Sequence, residues 1–118
     1  MYEDINKLVV FQKAHVLVLE IYKITRHFPR EEQYGLMSQM KRAAVSIPSN
    51  IAEGRARGST KEYKRFLLIA RGSLEELKYQ IYLSKDLKFI NQAQYEELIT
   101  KVDQVGRMLN GLVRKIEG

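Results

Sequence analysis

Residues 59–81 read STKEYKRFLLIARGSLEELKYQI, and their spacing decides the fold. Tyr63, Leu67, Ala70, Leu74, Leu77 and Ile81 recur at steps of four and three, which puts them on one stripe of an α-helix. Ser59 and Glu62 stand at the spacing of a capping box. There the serine hydroxyl accepts from the Glu62 amide while the glutamate side chain reaches back. A helix is therefore predicted from Thr60 to about Leu87.

Working outward, Gly54-Arg55-Ala56-Arg57-Gly58 is the connection before that helix. Upstream of it, Met37, Met40, Ala44, Ile47 and Ile51 again step by three and four. This second helix is predicted to begin near Glu31 or Glu32, whose carboxylates suit a helix N-terminus, and to end near Gly54. Pro48 lies inside the pattern, where it removes a backbone hydrogen bond and crowds the Ala44 carbonyl at roughly 3 kcal/mol. The apolar register continues to Ile51, so one helix kinked at Pro48 is expected instead of two. The first helix should run from about Lys7 to His27. Phe11, Ala14, Val18, Ile21, Thr25 and Phe28 form its stripe, Leu17 and Ile24 widen it, and Phe28-Pro29 ends it. Asn91 with Gln94 is a weaker cap for a fourth helix, where Tyr95, Leu98, Val102, Val105, Leu109, Leu112 and Ile116 repeat almost as a heptad. Gly106 and Gly111 weaken that helix slightly.

Only two prolines and seven glycines interrupt 118 residues of which 45% are hydrophobic. That composition favours a few long elements over many short ones. The expected fold is all-α: a single antiparallel, up-down-up-down four-helix bundle over residues 1–118, joined by short connections. No apolar run approaches the ~20 residues a membrane span needs. Met1-Tyr2-Glu3-Asp4 opens acidic, without a signal-peptide pattern. The absence of cysteine excludes disulfides, thiolate metal sites and a cysteine nucleophile, and suits a reducing cytoplasm.

Catalytic chemistry finds no constellation. Of the two histidines, His15 lies on the apolar side of the first helix and reads as a core or interface residue. His27 sits in the last turn of that helix, where positive charge suits the dipole. Neither has a histidine four residues on, as a helical metal site would. Glu31/Glu32, Glu75/Glu76 and Glu96/Glu97 are sequence neighbours that point ~100° apart on a helix, so they form no acid–base dyads. No Glu-x-x-His motif of a di-iron bundle is present. Gly54–Lys61 resembles a phosphate loop but lacks the G-x-x-x-x-G-K-[ST] order and follows a helix. No enzyme activity, metal or cofactor is expected.

The charge is more telling. The net charge is +6, and Lys41, Arg42, Arg55, Arg57, Lys61, Lys64, Arg65 and Arg71, against Glu53 and Glu62, account for all of it. A solvated surface is the simple reading; a polyanionic partner is the sharper one, because the excess is local. Lys61, Lys64, Arg65 and Arg71 lie off the core stripe of the third helix. Lys41 and Arg42 are expected alongside if the second helix packs antiparallel. Such a band binds RNA or DNA phosphates without reading sequence. Aromatic stacking partners within it are few, since Tyr63 and Phe66 look more like core, so specific recognition of single strands is not supported. On the same wheel Leu68, Gly72, Tyr79, Tyr82 and Leu83 fall opposite the core stripe. A second apolar face of this kind predicts a homo-oligomer, and the widened stripe of the first helix points the same way.

Three stretches carry a resemblance: Phe28-Pro29 with Tyr34-Gly35-Leu36; Gln39-Met40-Lys41-Arg42-Ala43-Ala44-Val45-Ser46-Ile47-Pro48-Ser49-Asn50-Ile51-Ala52-Glu53-Gly54; and Phe66 to Leu77. Together they resemble the bacterial four-helix-bundle family named for 23S rRNA intervening sequences. The resemblance covers nearly the whole chain. It implies an up-down bundle assembled as a ring-like homopentamer, of no established enzymatic activity. It also implies a likeness to the accessory variability protein of diversity-generating retroelements, a basic pentameric bundle that binds nucleic acid and a reverse transcriptase. A protein-interaction adaptor for a nucleic-acid enzyme is thus the alternative to direct nucleic-acid binding. Asn50 and Glu53 either serve close packing or line a contact between subunits.

Overall fold

The computed structural model describes residues 5–118; the acidic opening Met1–Asp4 lies outside them. The described residues contain no strand and four α-helices: α1 Val9–Thr25, α2 Leu36–Ala56, α3 Thr60–Asp86 and α4 Gln92–Glu117. The body measures 43 × 23 × 21 Å, close to the ~40 Å length of the 27-residue α3 at 1.5 Å per residue.

Each helix turns one apolar stripe inward. The fully buried side chains include Leu17 and Ile21 of α1, Met40, Ile47 and Ile51 of α2, Leu67, Leu77 and Ile81 of α3, and Val102, Val105 and Leu109 of α4. On α1 the stripe is rotated from the expected one. Leu17 sits at its centre with Val10 and Ala14, while Phe11 and Val18 are only partly buried. The widening that suggested an outward-facing Leu17 is therefore core, and the exposed apolar residues of α1 are Val9, Val16, Leu19 and Tyr22. Buried Thr25 satisfies its hydroxyl by donating to the Ile21 carbonyl, 2.8 Å away.

The α2–α3 pairing is read from three contacts. Ser84 donates to the Met40 sulfur at 3.4 Å, the hydroxyls of Ser46 and Ser73 lie 2.8 Å apart, and Gly54 faces Phe66. Residue numbers rise on one helix as they fall on the other. One helix, not two, passes through Pro48, which is buried. Three residues later in the α2 wall, Ile51 continues the core, and Asn50 donates to the Ser46 carbonyl and hydroxyl at 2.8 and 2.9 Å. A methyl group on Gly54 would stand 2.7 Å from Phe66 Cβ and 3.2 Å from Tyr63 Cδ1. Gly54 is thus a point of helix contact and not the helix terminus; α2 runs on to Ala56. The turn is made at Gly58, whose φ of +78° suits glycine.

Helix starts also differ from expectation. Arg30–Glu32 form a short 3₁₀ turn, and Glu32 accepts from the Leu36 amide at 3.1 Å, so its carboxylate caps α2 from outside. At Ser59 only half of the capping box forms: Ser59 accepts from the Glu62 amide at 3.1 Å, but the Glu62 carboxylate is held by Arg65. The full reciprocal box is at Asn91–Gln94, both bonds being 2.8 Å. Phe28 and Phe89, with ring centroids 5.2 Å apart, join the α1–α2 and α3–α4 connections at one end of the bundle.

Candidate functional site

The other end of the bundle gathers positive charge. There α2 finishes, α3 starts and α4 finishes, a placement tied down by Gly54 against Phe66 and by an ion pair from Lys64 to Glu117 at 3.3 Å. Arg55, Arg57, Lys61, Lys64 and Arg65 converge there from both sides of the α2–α3 turn. They stay on the surface because each lies off its helix's buried stripe.

Phe66 organises two of them. Its ring is buried, with the Arg57 guanidinium carbon 5.0 Å and the Arg65 guanidinium carbon 4.4 Å from its centroid. Both distances fall in the cation–π range. Each arginine is also held by a carboxylate, Arg57 by Glu53 at 2.9 Å and Arg65 by Glu62 at 2.9 and 3.2 Å. The Arg65 hydrogen bond holds the Glu62 carboxyl below its ordinary range, and the same bond raises Arg65. Arg65 therefore keeps a carboxylate partner that offsets part of its charge. Among the described residues Arg55 and Lys61 form no ion pair within 4.0 Å, so theirs are the positive charges most available to an incoming anion.

The basic segment does not form one band. Lys41 and Arg42 lie at the far end of α2, since neighbouring Met40 faces Ser84 while Gly54 faces Phe66. Thirteen residues of helix separate Arg42 from Arg55, or roughly 20 Å. The antiparallel packing that was expected to bring Lys41 beside Lys61 carries it away, because the two ends of a hairpin lie far apart. Lys41 instead sits over the Tyr22 ring of α1, 5.0 Å from its centroid. Arg71 turns toward α4 and donates to Asn110 at 3.0 Å.

That bond exposes two residues missed in the sequence. Arg107 and Arg114 lie three before and four after Asn110, hence on its face of α4, and both are exposed. Their i, i+7 spacing was visible, but their nearness to Arg71 follows only from the docking of α4 on α3.

The predicted second face of α3 is uneven. Leu68, Gly72 and Tyr79 are exposed, but exposed Glu75 and Glu76 interrupt them, and Leu83 is half-buried. Tyr82 leans onto α4, its ring 6.3 Å from that of Tyr95, with the Lys85 amine 4.7 and 4.4 Å from the two centroids. His15 is exposed and so is not a core residue. Asn50 and Glu53 both bond within the chain. No cluster of three or more potential metal ligands occurs among the described residues, and none of their helices is long and apolar enough to cross a membrane.

Residues 6–111 match the family described as 23S rRNA-intervening sequence protein. A solved structure, described as a protein with unknown function from the S23 ribosomal protein family of Bacteroides thetaiotaomicron VPI-5482, is 22% identical. It aligns over 88% of this chain and 97% of its own with a TM-score of 0.79; at that identity the likeness speaks for the fold. No functionally curated protein matches the chain.

Proposed function

We propose, for a chain that belongs to the 23S rRNA-intervening sequence protein family, that it is a non-catalytic protein of the cytoplasm that binds nucleic-acid backbones through the basic end of its bundle. The observation that carries this reading is the convergence of Arg55, Arg57, Lys61, Lys64 and Arg65 around the α2–α3 turn, with no ion pair to Arg55 or Lys61 among the described residues. Surface cations of this kind touch phosphates and leave base edges unread, so binding is expected to be independent of sequence and steeply weakened by salt. Each phosphate neutralised adds about 0.9 to the slope of log affinity against log salt on duplex DNA. Reversing both Arg55 and Lys61 to glutamate should reduce that slope by about two and abolish measurable binding at moderate salt. An unchanged slope would overturn the reading.

The protein is further proposed to work as a homo-oligomer, five copies being what the family resemblance implies. Exposed Leu68 and Tyr79 on α3, and Val16 and Leu19 on α1, support association. Mass measurement in solution tests it, and a monomer at micromolar concentration refutes it. An adaptor role toward an acidic protein is the second reading, favoured by the ease with which Arg57 and Arg65 take carboxylates. Capture of a partner that survives nuclease treatment would select it over the first.

A further inference from the structure

The far end of α2 holds an aromatic and cationic groove apart from the basic end. It has a volume of about 440 Å³ and is lined by Tyr22 of α1, Tyr34 of the turn before α2, and Met37, Lys41, Arg42 and Val45 of α2. The groove is open to solvent, so it can cover one flat group without enclosing it. Two of its features are unusual for a surface. Tyr34 is 89% exposed, so its ring has given up nearly all packing. Lys41 and Arg42 have no carboxylate within 4.0 Å among the described residues, so the cations beside the rings are unneutralised. Lys41 rests on the Tyr22 ring at 5.0 Å, which fixes both groups on one wall.

We infer that this groove takes an unpaired nucleotide of a single-stranded nucleic acid, the base against the open Tyr34 ring and the flanking phosphate against Arg42 and the Lys41 amine that rests on Tyr22. The inference rests on the nucleic-acid reading above and extends it. Open aromatic faces stack any base, because every base has a π-face, and adjoining cations track the backbone. Met37, half-buried in the groove lining next to Tyr34, supplies an apolar surface that a base, but not a phosphate alone, would cover. A duplex keeps its bases stacked inside and cannot present one here, so the groove confers a preference for single strands. It supplies the stacking groups that the basic segment itself lacks.

The test compares a labelled single-stranded homopolymer with a duplex of the same length, at fixed salt. Tyr34→Ala should weaken single-strand binding at least about five-fold and change duplex binding less than two-fold. Tyr34→Phe should restore the single-strand affinity, since stacking needs the ring and not the hydroxyl. Circular dichroism of Tyr34→Ala should match the parent, because the ring packs on almost nothing. Equal single-strand affinity in Tyr34→Ala overturns the inference while leaving the basic end untouched. Equal loss on both substrates also overturns it. So does a change of solution mass in Tyr34→Ala or Tyr22→Ala, which would assign the groove to contact between copies of this chain. Absence of any binding by the parent, single or double stranded, would instead remove the reading on which the inference stands.

Discussion

Replacing Gly54 by alanine decides whether the close approach of α2 and α3 is real, because two effects of opposite sign compete there. Gly54 lies inside α2, and an alanine in a helix interior is ordinarily better than glycine by about 0.8–1.0 kcal/mol. If α3 were not pressed against it, the substitution would stabilise the protein. The added methyl would, however, sit 2.7 Å from Phe66 Cβ and 3.2 Å from both the Tyr63 ring edge and the Tyr63 carbonyl. None of these is the end of a flexible chain. A Cβ and a carbonyl move only with their helix, so relief requires the helices to part by several tenths of an ångström or more. Overpacking of this kind costs about 1–3 kcal/mol, and parting the helices also loosens contacts around Ile51 and Leu67. The net expectation is a loss of about 1 kcal/mol, or roughly 3–5 °C in melting temperature for a chain of this size. Gly72→Ala is the internal control: nothing lies within 4 Å of its added methyl, so it should gain about 0.5–1 kcal/mol. Thermal unfolding followed by circular dichroism reads both. A melting temperature that rises for Gly54→Ala as it does for Gly72→Ala would refute the packing argument. Gly54→Ala should also disturb the Phe66 ring that seats Arg57 and Arg65, so its effect on polyanion binding should exceed that of Gly72→Ala.

Three further outcomes are expected. Glu62→Gln frees Arg65 from its carboxylate and should tighten polyanion binding by a factor of about 1.4–5, the range of exposed ion pairs; weaker binding in a filter or anisotropy assay would contradict the placement of Arg65 at the site. Asn91→Ala removes the bond from the Gln94 amide to the Asn91 side chain, while the Gln94 side chain can still accept from the backbone amide at position 91, so it should cost about 1 kcal/mol. Ser59→Ala likewise loses a single bond and should cost about as much in the same urea titration, and no loss in either variant would sink the cap assignments. The Asp103 hydrogen bond holds the Lys78 amine above its ordinary lysine value. The pair's stability is therefore fully present below about pH 10.4 and lost as pH rises through the higher folded value. Asp103→Asn should remove that alkaline loss, worth a few tenths of a kcal/mol for a half-exposed pair; an unchanged difference between about pH 9 and pH 11 would argue against the bond.

Helices were legible because their signal is local and redundant. The α3 stripe from Tyr63 to Ile81 is set by residues three and four apart, and a single glycine at 72 does not erase it. The ends were less legible because several side chains compete for each. Glu62 is spaced to cap α3, yet Arg65 one turn on binds it more strongly; Gly54 is placed to end α2, yet the approach of Phe66 is what requires a glycine there. The site was the least legible, since it depends on distances between helices. Lys41 and Lys61 are both basic and close in sequence, but the hairpin puts them at opposite ends. Arg107 and Arg114 are remote in sequence, yet the Arg71–Asn110 bond brings their face of α4 beside α3. Tyr22 and Tyr34 carried no periodic signal of their own and gained meaning only when α1 and α2 set them beside Lys41.

The rigid stretch of α2 between Arg42 and Arg55 acts as a ruler. One strand of a stacked, B-form helix advances about 3.4 Å per nucleotide along its axis, so a span of roughly 20 Å corresponds to about six stacked nucleotides, and to fewer where the strand is extended. Oligomers shorter than this reach one end of α2 or the other; longer ones engage both at once and gain the avidity of a bivalent ligand. Affinity should therefore rise in a step near that length, and the step should vanish when either end of the ruler is discharged.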